Sequence, residues 1–171
     1  MTRPMLYFFV GYPGAGKTTV ARLIADKTGA VHIWADQERQ AMFGNPTHSQ
    51  EESHQLYDHL NTKVEQLLSE GKSVIFDTNF NFRRDRDHMR RIAAQHGADT
   101  AMIWLTTPIT VAQRRATEES HQKDTRIWGN MQESDFARIS SHLQPPTPDE
   151  QPICFDGTKL DLQHVKQILG I

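Results

Sequence analysis

The sequence predicts an α/β fold of three layers, α/β/α, built on a five-stranded parallel sheet and carrying a helical lid. Short apolar runs alternate with stretches of helical periodicity along the whole chain, and strands separated by helices form a parallel sheet covered on both faces. The stretch "FFVGYPGAGKTTVARLIA", residues 8–25, passes from an apolar run through glycines into an amphipathic helix. At 171 residues the chain is long enough for one well-filled core, so residues 1–171 are read as a single domain.

The elements follow in order. Met5 to Val10 is a continuous apolar run closed by Gly11, the pattern of a strand buried on both faces. From Thr18 to Thr28 the apolar residues Val20, Ala21, Leu23, Ile24 and Ala25 keep helical spacing until Gly29. Val31 to Trp34 is a second strand, followed by a short polar helix that stops near Gly44-Asn45-Pro46. Leu56, Leu60, Val64, Leu67 and Leu68 share one face of a helix ended by Gly71. Ser73 to Phe76 is the third strand and meets Asp77; a basic helix then runs from about Arg84 to His96. Thr100 to Leu105 is the fourth strand, and Pro108 opens a helix through Val111 and Arg115. Residues 117–130 lack periodicity and read as a mobile segment within a lid of about 114–142, with a helix resuming near Glu133. After Pro145-Pro146-Thr147-Pro148, Ile153 to Phe155 is the last strand and Leu160 to Leu169 the last helix.

Composition narrows the function. A formal net charge of -2 gives no global attraction to nucleic acid or an anionic membrane. The single cysteine, Cys154, forms no internal disulfide, and there is neither a secretory apolar region nor a membrane-length apolar run. A cytoplasmic protein without a membrane partner is expected.

Gly11-Tyr12-Pro13-Gly14-Ala15-Gly16-Lys17-Thr18 fits G-x-x-x-x-G-K-[ST], the phosphate-binding loop, and makes this a P-loop NTPase fold. Glycines let successive N–H groups turn inward to phosphate oxygens, and the following helix N-terminus adds partial positive charge. In that reading Gly11, Pro13, Gly14, Ala15, Gly16, Lys17, Thr18 and Thr19 hold ATP. Lys17 reaches the β and γ phosphates, and the Thr18 hydroxyl holds Mg²⁺.

The reaction must be chosen by groups at the ends of other strands. Asp36 follows strand two with Arg39 one turn on, so a carboxylate able to accept a hydroxyl proton neighbours a guanidinium able to hold a substrate. Spacing equally allows Asp36 to cap its helix and Arg39 to be a solvated surface residue. Asp77 ends an apolar strand as a Walker B acid does, beside Mg²⁺, although a strand-ending Asp also forms turns. Arg114, Arg115, Lys123 and Arg126 surround the aperiodic segment, either as lid cations that neutralise transferring charge or as a hydrated loop.

The stretches "GYPGAGKTT", "WADQER", "VIFDTNFNFRRDRDHMR", "WLTTPITVAQRR" and "QPPTPDE" together resemble the P-loop kinases grouped with phage-type polynucleotide 5′-hydroxyl kinases, zeta toxins and the small-molecule phosphotransferases of the AAA_33 group. The resemblance implies that Asp36 is the general base and Arg39 orients the substrate. It implies that Asp77, Thr78 and Asn79 border the acceptor and metal site, and that Arg115 and Gly157 lie on either side of the adenine. In the polynucleotide kinases a second lid arginine closely follows the first. Here Ala116-Thr117-Glu118-Glu119 stands there, and Arg126 is taken as the transition-state cation.

The expected activity is ATP- and Mg²⁺-dependent phosphoryl transfer to a hydroxyl of a small molecule or of a polynucleotide 5′ end, with no obligate protein partner. The basic run Arg83, Arg84, Arg86, Arg90 and Arg91 favours nucleic acid, whereas Asp85 and Asp87 within it favour pairing on the helix surface. A nucleotide-binding switch acting through a protein partner is the rival class; it leaves Asp36 and Arg39 without a task. Of nine histidines none groups as a metal ligand, and His32 reads as a core-edge residue. Trp34, Trp104 and Trp128 are able to bound a pocket, the first two reading rather as packing in or beside the sheet.

Overall fold

A computed structural model describes residues 2–120 and 124–171. Five strands, β1 (Met5–Val10), β2 (Val31–Trp34), β3 (Val74–Asp77), β4 (Asp99–Leu105) and β5 (Ile153–Phe155), form one sheet in the order β2-β3-β1-β4-β5. Every pairing is parallel. Between them lie α1 (Lys17–Thr28), α2 (Ala35–Phe43), α3 (Gln50–Ser69), α4 (Arg83–Gln95), α5 (Ile109–Thr117) and α6 (Glu133–Ser141), with α7 (Leu162–Leu169) closing the chain. Among the described residues no helix is long and apolar enough to cross a membrane.

The side-chain alternation of the strands divides the core in two. Leu6, Phe8 and Val10 of β1 pack with Val74, Phe76 and Met102 beneath Leu56, Leu60 and Val64 of α3 and Met89 and Ile92 of α4. Tyr7 and Phe9 face the other way, with Ile75, Ile103 and Leu105, against Val20 and Ile24 of α1 and Val165 of α7. Continuous apolar runs were therefore needed in the central strands, because each buries both faces.

Helix α3 begins earlier than its leucine stripe. Ser49 caps it by accepting from the Glu52 backbone N–H at 3.1 Å, so the polar turn Gln50–Ser53 is helical without contributing an apolar face. The last helix, in contrast, begins two residues later than the apolar pattern from Leu160 suggests. Asp161 caps it by accepting from Gln163 N–H at 2.9 Å, which starts α7 at Leu162.

The basic helix α4 is fixed by ion pairs. Arg86 is fully buried; its Nε and Nη2 donate to Glu150 at 2.8 and 2.9 Å, and its Nη1 donates to the Phe80 and Asn81 carbonyls. Arg90 adds a third donor to Glu150 at 2.9 Å, while Arg83 reaches Asp149 and Asp87. Glu150 also closes a capping box with Thr147 over the short 3₁₀ turn Pro148–Glu150. The "QPPTPDE" stretch thus fastens the approach to β5 onto α4.

Burial pushes the Glu150 carboxyl up, but the bonds from Arg86, Thr147 and Arg90 outweigh it and hold it at about 2. Its folded pKa lies below the ordinary 4.5, so its stabilisation is complete above that value and is lost as pH falls toward 2. Glu150→Gln leaves Arg86 charged, buried and short of its partner. Urea unfolding at neutral pH is expected to show a loss of about 3–5 kcal/mol, with a smaller difference from the parent protein as the pH is lowered through that window.

Candidate active site

The C-terminal ends of the strands open into one cleft of about 1250 Å³. Sites for a single drug-sized ligand usually occupy about 300–1,000 Å³, so the space accommodates a nucleotide with a second compound beside it. Pro13, Gly14, Gly16, Lys17, Thr18 and Thr19 form one wall. Asp36, Arg39, Asp77, Thr78 and Asn79, at the ends of β2 and β3, form the facing wall, and Arg115, Arg126 and Gly157 also border the space. Gly11 and Ala15 are buried and do not line the cleft.

The loop conformation depends on glycine at two places. Gly14 has φ +81°, and a Cβ there would stand 2.5 Å from the Ala112 carbonyl of α5. Gly157 approaches the loop so closely that a Cβ would enter the Ala15 carbonyl and the Thr107 hydroxyl. Thr107, buried just beyond β4, joins these segments: its hydroxyl donates to Ala15 O at 2.7 Å and accepts from Gly157 N–H at 2.9 Å. Arg115 donates to the Gly157 carbonyl at 3.1 Å, so the two residues expected around the adenine are tied to one another.

Lys17 donates to the Gly11 and Tyr12 carbonyls at 2.9 and 2.7 Å. Burial lowers its ammonium to about 7; the charges of Asp77 and Asp36 draw it upward and that of Arg126 presses it down. Asp36 stands in the first turn of α2 and caps nothing. Burial raises its pKa, Asp77 adds to the rise, and Arg126, the Trp128 indole and Arg39 oppose it. Arg126, whose own pKa burial lowers against the pull of Asp36, is the lid cation beside this carboxylate. Arg114 instead pairs with Glu119 at the surface, and Lys123 lies outside the described residues.

Arg39 lines the cleft and is also paired within the protein. It is buried and donates to Glu52 Oε1 at 2.6 Å and to Ser53 Oγ at 3.1 Å. Burial alone would raise the Glu52 carboxyl, but bonds from Arg39, Thr47 and His48 bring it down to about 2. Arg39 therefore borders the cleft as half of an ion pair that also anchors the turn before α3. Nothing in the Asp-x-x-Arg spacing points to Glu52, which lies across a helix boundary.

Three further contacts escaped the sequence. Asp77, 3% exposed, pairs with His32 Nε2 at 2.9 Å, so His32 belongs to the site. Tyr57 of α3 shares a hydrogen bond with Thr78 at 2.6 Å. Trp128 borders the cleft with its ring edge-on to His48 at 5.1 Å. Its buried Nε1 completes no hydrogen bond of good geometry among the described residues, yet it stands near enough to Asp36 to favour the carboxylate. The ends of the lid are joined where Met131 N–H donates to Ala116 O and Ser120 N–H to Asn130 Oδ1, both at 2.9 Å. Phe136, Ala112 and Ala116 pack there with Tyr12 of the phosphate-binding loop.

Thr18 and Asp77 present hard oxygen donors to the cleft, a set suited to Mg²⁺, which takes one or two protein oxygens and completes its shell with water and phosphate.

The family model AAA_33, described as an AAA domain, matches residues 6–146. A shikimate kinase of Persephonella marina is 28% identical over 110 residues, covering 63% of this chain; the match spans only 65% of that relative's length. The solved structure of a Chloroflexus aurantiacus protein superposes with TM-score 0.76 at 18% identity, over 99% of this chain and 98% of the other. The APS kinase CysC of Mycobacterium tuberculosis, solved with AMPPNP and APS, gives TM-score 0.68 at 16% identity over 99% and 98%. At such identities these structures establish a shared P-loop kinase fold.

A triphosphate arriving beside Lys17 favours its charged form, so binding at pH 8 should draw in a proton. Calorimetry in buffers of different ionisation enthalpy should find uptake of about one proton per site at pH 8 and almost none at pH 6. The same small uptake at both values would contradict the lowered Lys17 pKa.

Proposed function

The chain belongs to the AAA_33 family, and from that premise we propose that it is an ATP-dependent kinase acting on a hydroxyl of a small molecule, as a single cytoplasmic domain. The observation that carries the reading is the cleft itself, in which a phosphate-binding loop and Lys17 face a half-buried carboxylate, Asp36, with Arg126 beside it. A nucleotide switch would need the loop and Asp77; it would leave Asp36 without a task. The named activities of the relatives, shikimate kinase and APS kinase, support the same reaction class.

In this scheme Asp36 accepts the proton of the acceptor hydroxyl as that oxygen bonds to the γ-phosphorus, and the bond to the β,γ-bridging oxygen breaks to release ADP. Lys17 and the inward N–H groups of the loop hold the phosphates, and Arg126 offsets the charge that spreads over the transferring group. Thr18 and Asp77 would hold Mg²⁺, which would supply neutralisation of the phosphate charge. Thr78 and Asn79 orient the acceptor, while Arg115 and Gly157 border the base.

A small acceptor is favoured over a polynucleotide end by the state of the basic helix. Arg83, Arg86 and Arg90 are occupied by Asp149, Asp87 and Glu150, and Arg84 lies over the Phe82 ring at 4.9 Å. Phosphate contacts would have to compete with these pairs.

Labelled transfer from ATP to a panel of hydroxyl compounds and 5′-hydroxyl oligonucleotides tests the proposal. Asp36→Asn is expected to lower transfer by at least about 100-fold while calorimetric MgATP binding is kept, and Lys17→Ala to weaken both. Undiminished transfer by Asp36→Asn would reject the base assignment. Release of free phosphate alone, accelerated by a protein partner, would favour the switch. Acceptor binding should change little between about 50 and 200 mM salt; a steep loss would identify a nucleic-acid acceptor. Because the Asp36 pKa is raised, the acid limb of the transfer rate should lie above the ordinary aspartate value of 3.8.

A further inference from the structure

We propose that His32 is a positioning residue for the metal site: by donating from Nε2 to Asp77 Oδ2 it fixes the rotation of that carboxylate and leaves the other oxygen for the divalent cation. The inference rests on the reading of Asp77 as a metal-holding residue and goes beyond it by assigning a task to the neighbouring strand.

Asp77 is 3% exposed, and a buried carboxylate needs partners. Among the described residues its only side-chain hydrogen bond is with His32 Nε2, at 2.9 Å. The pairing follows from sheet register. Trp34 of β2 lies opposite Asp77 of β3, and His32, two residues earlier on the same face, reaches diagonally to the carboxylate. With the proton on Nε2 assigned from its carboxylate partner, His32 is a donor to Asp77 at that nitrogen, not a competing ligand.

The ring is also held in place. It stacks on Trp34 with centroids 6.4 Å apart and planes 14° from parallel, and the guanidinium of Arg22 covers Trp34 at 5.4 Å. An imidazole so packed presents its N–H in a constant direction. Mg²⁺ demands near-ideal octahedral geometry, so a carboxylate free to rotate would be a poorer ligand than one already aimed. Donors that orient metal-holding side chains in this way commonly alter metal affinity by about 10- to 100-fold when removed.

The test compares His32→Phe, which keeps a flat ring on Trp34 and lacks the donor, with His32→Gln, whose terminal amide reaches the position of Nε2. Mn²⁺ binding in the presence of nucleotide is followed by electron paramagnetic resonance, and metal-free nucleotide binding by calorimetry. The expected result is metal binding weakened about 10- to 100-fold in His32→Phe and restored to within a few-fold of the parent in His32→Gln, with metal-free nucleotide affinity unchanged in both. If His32→Phe does not fold, His32→Asn replaces it: its amide stops short of Asp77, so metal binding should again fall relative to His32→Gln. Equal metal affinity in all folded variants would overturn the proposal, as would a loss shared equally by metal-free nucleotide binding. Nucleotide binding by the parent protein that ignores divalent cation would overturn the metal reading of Asp77 itself, a failure distinguishable from the first.

Discussion

A partly desolvated ammonium is the constraint around which the cleft is built. Lys17, half-buried, sits between the Gly11 and Tyr12 carbonyls, with Asp77 and Asp36 as the nearby negative charges and Arg126 as a second positive one. A cation in such a place is tolerated only with oriented dipoles and opposite charges around it. The parallel sheet makes that surrounding possible, because every strand delivers its carboxyl end to the same edge. The acids at the ends of β2 and β3 therefore arrive beside the loop that follows β1.

The arginines divide into those committed to architecture and those left to the cleft. Arg86 and Arg39 are each locked to a buried glutamate, Glu150 and Glu52, and each pair clamps a segment that would otherwise hang loosely: the approach to β5 in one case, the turn before α3 in the other. Arg126 has a different setting, with burial lowering its pKa and Asp36 as the countercharge. Apparent richness in positive charge along α4 is thus mostly scaffold.

The fold was legible because its signals are local. Apolar runs named all five strands within a residue at either end, and the stops at Gly29, Gly44 and Gly71 marked three helix ends. The loop from Gly11 to Thr18 was legible for the same reason, since its chemistry is carried by consecutive residues. Asp36 came to notice through its spacing to Arg39, Asp77 by ending an apolar strand and Arg126 by its place in the aperiodic segment, and the cleft gathers all three. What stayed hidden is pairing across distance. Glu52 is a polar residue in the first turn of a helix until Arg39 meets it, and His32 is an ordinary strand residue until the register of β2 against β3 turns it toward Asp77. Thr107 had no signal beyond following a strand, although it joins two walls of the nucleotide side.

That threonine gives the nucleotide side an order of assembly. Its bonds connect partners 92 and 50 positions apart along the chain. Contacts of such separation form only after intervening segments have collapsed. During synthesis the N-terminal loop emerges early, yet its clasp stays open until the ribosome has released β5 and the glycine beyond it. A partly made polypeptide that lacks this segment consequently carries a recognisable phosphate-binding motif without its finished clasp.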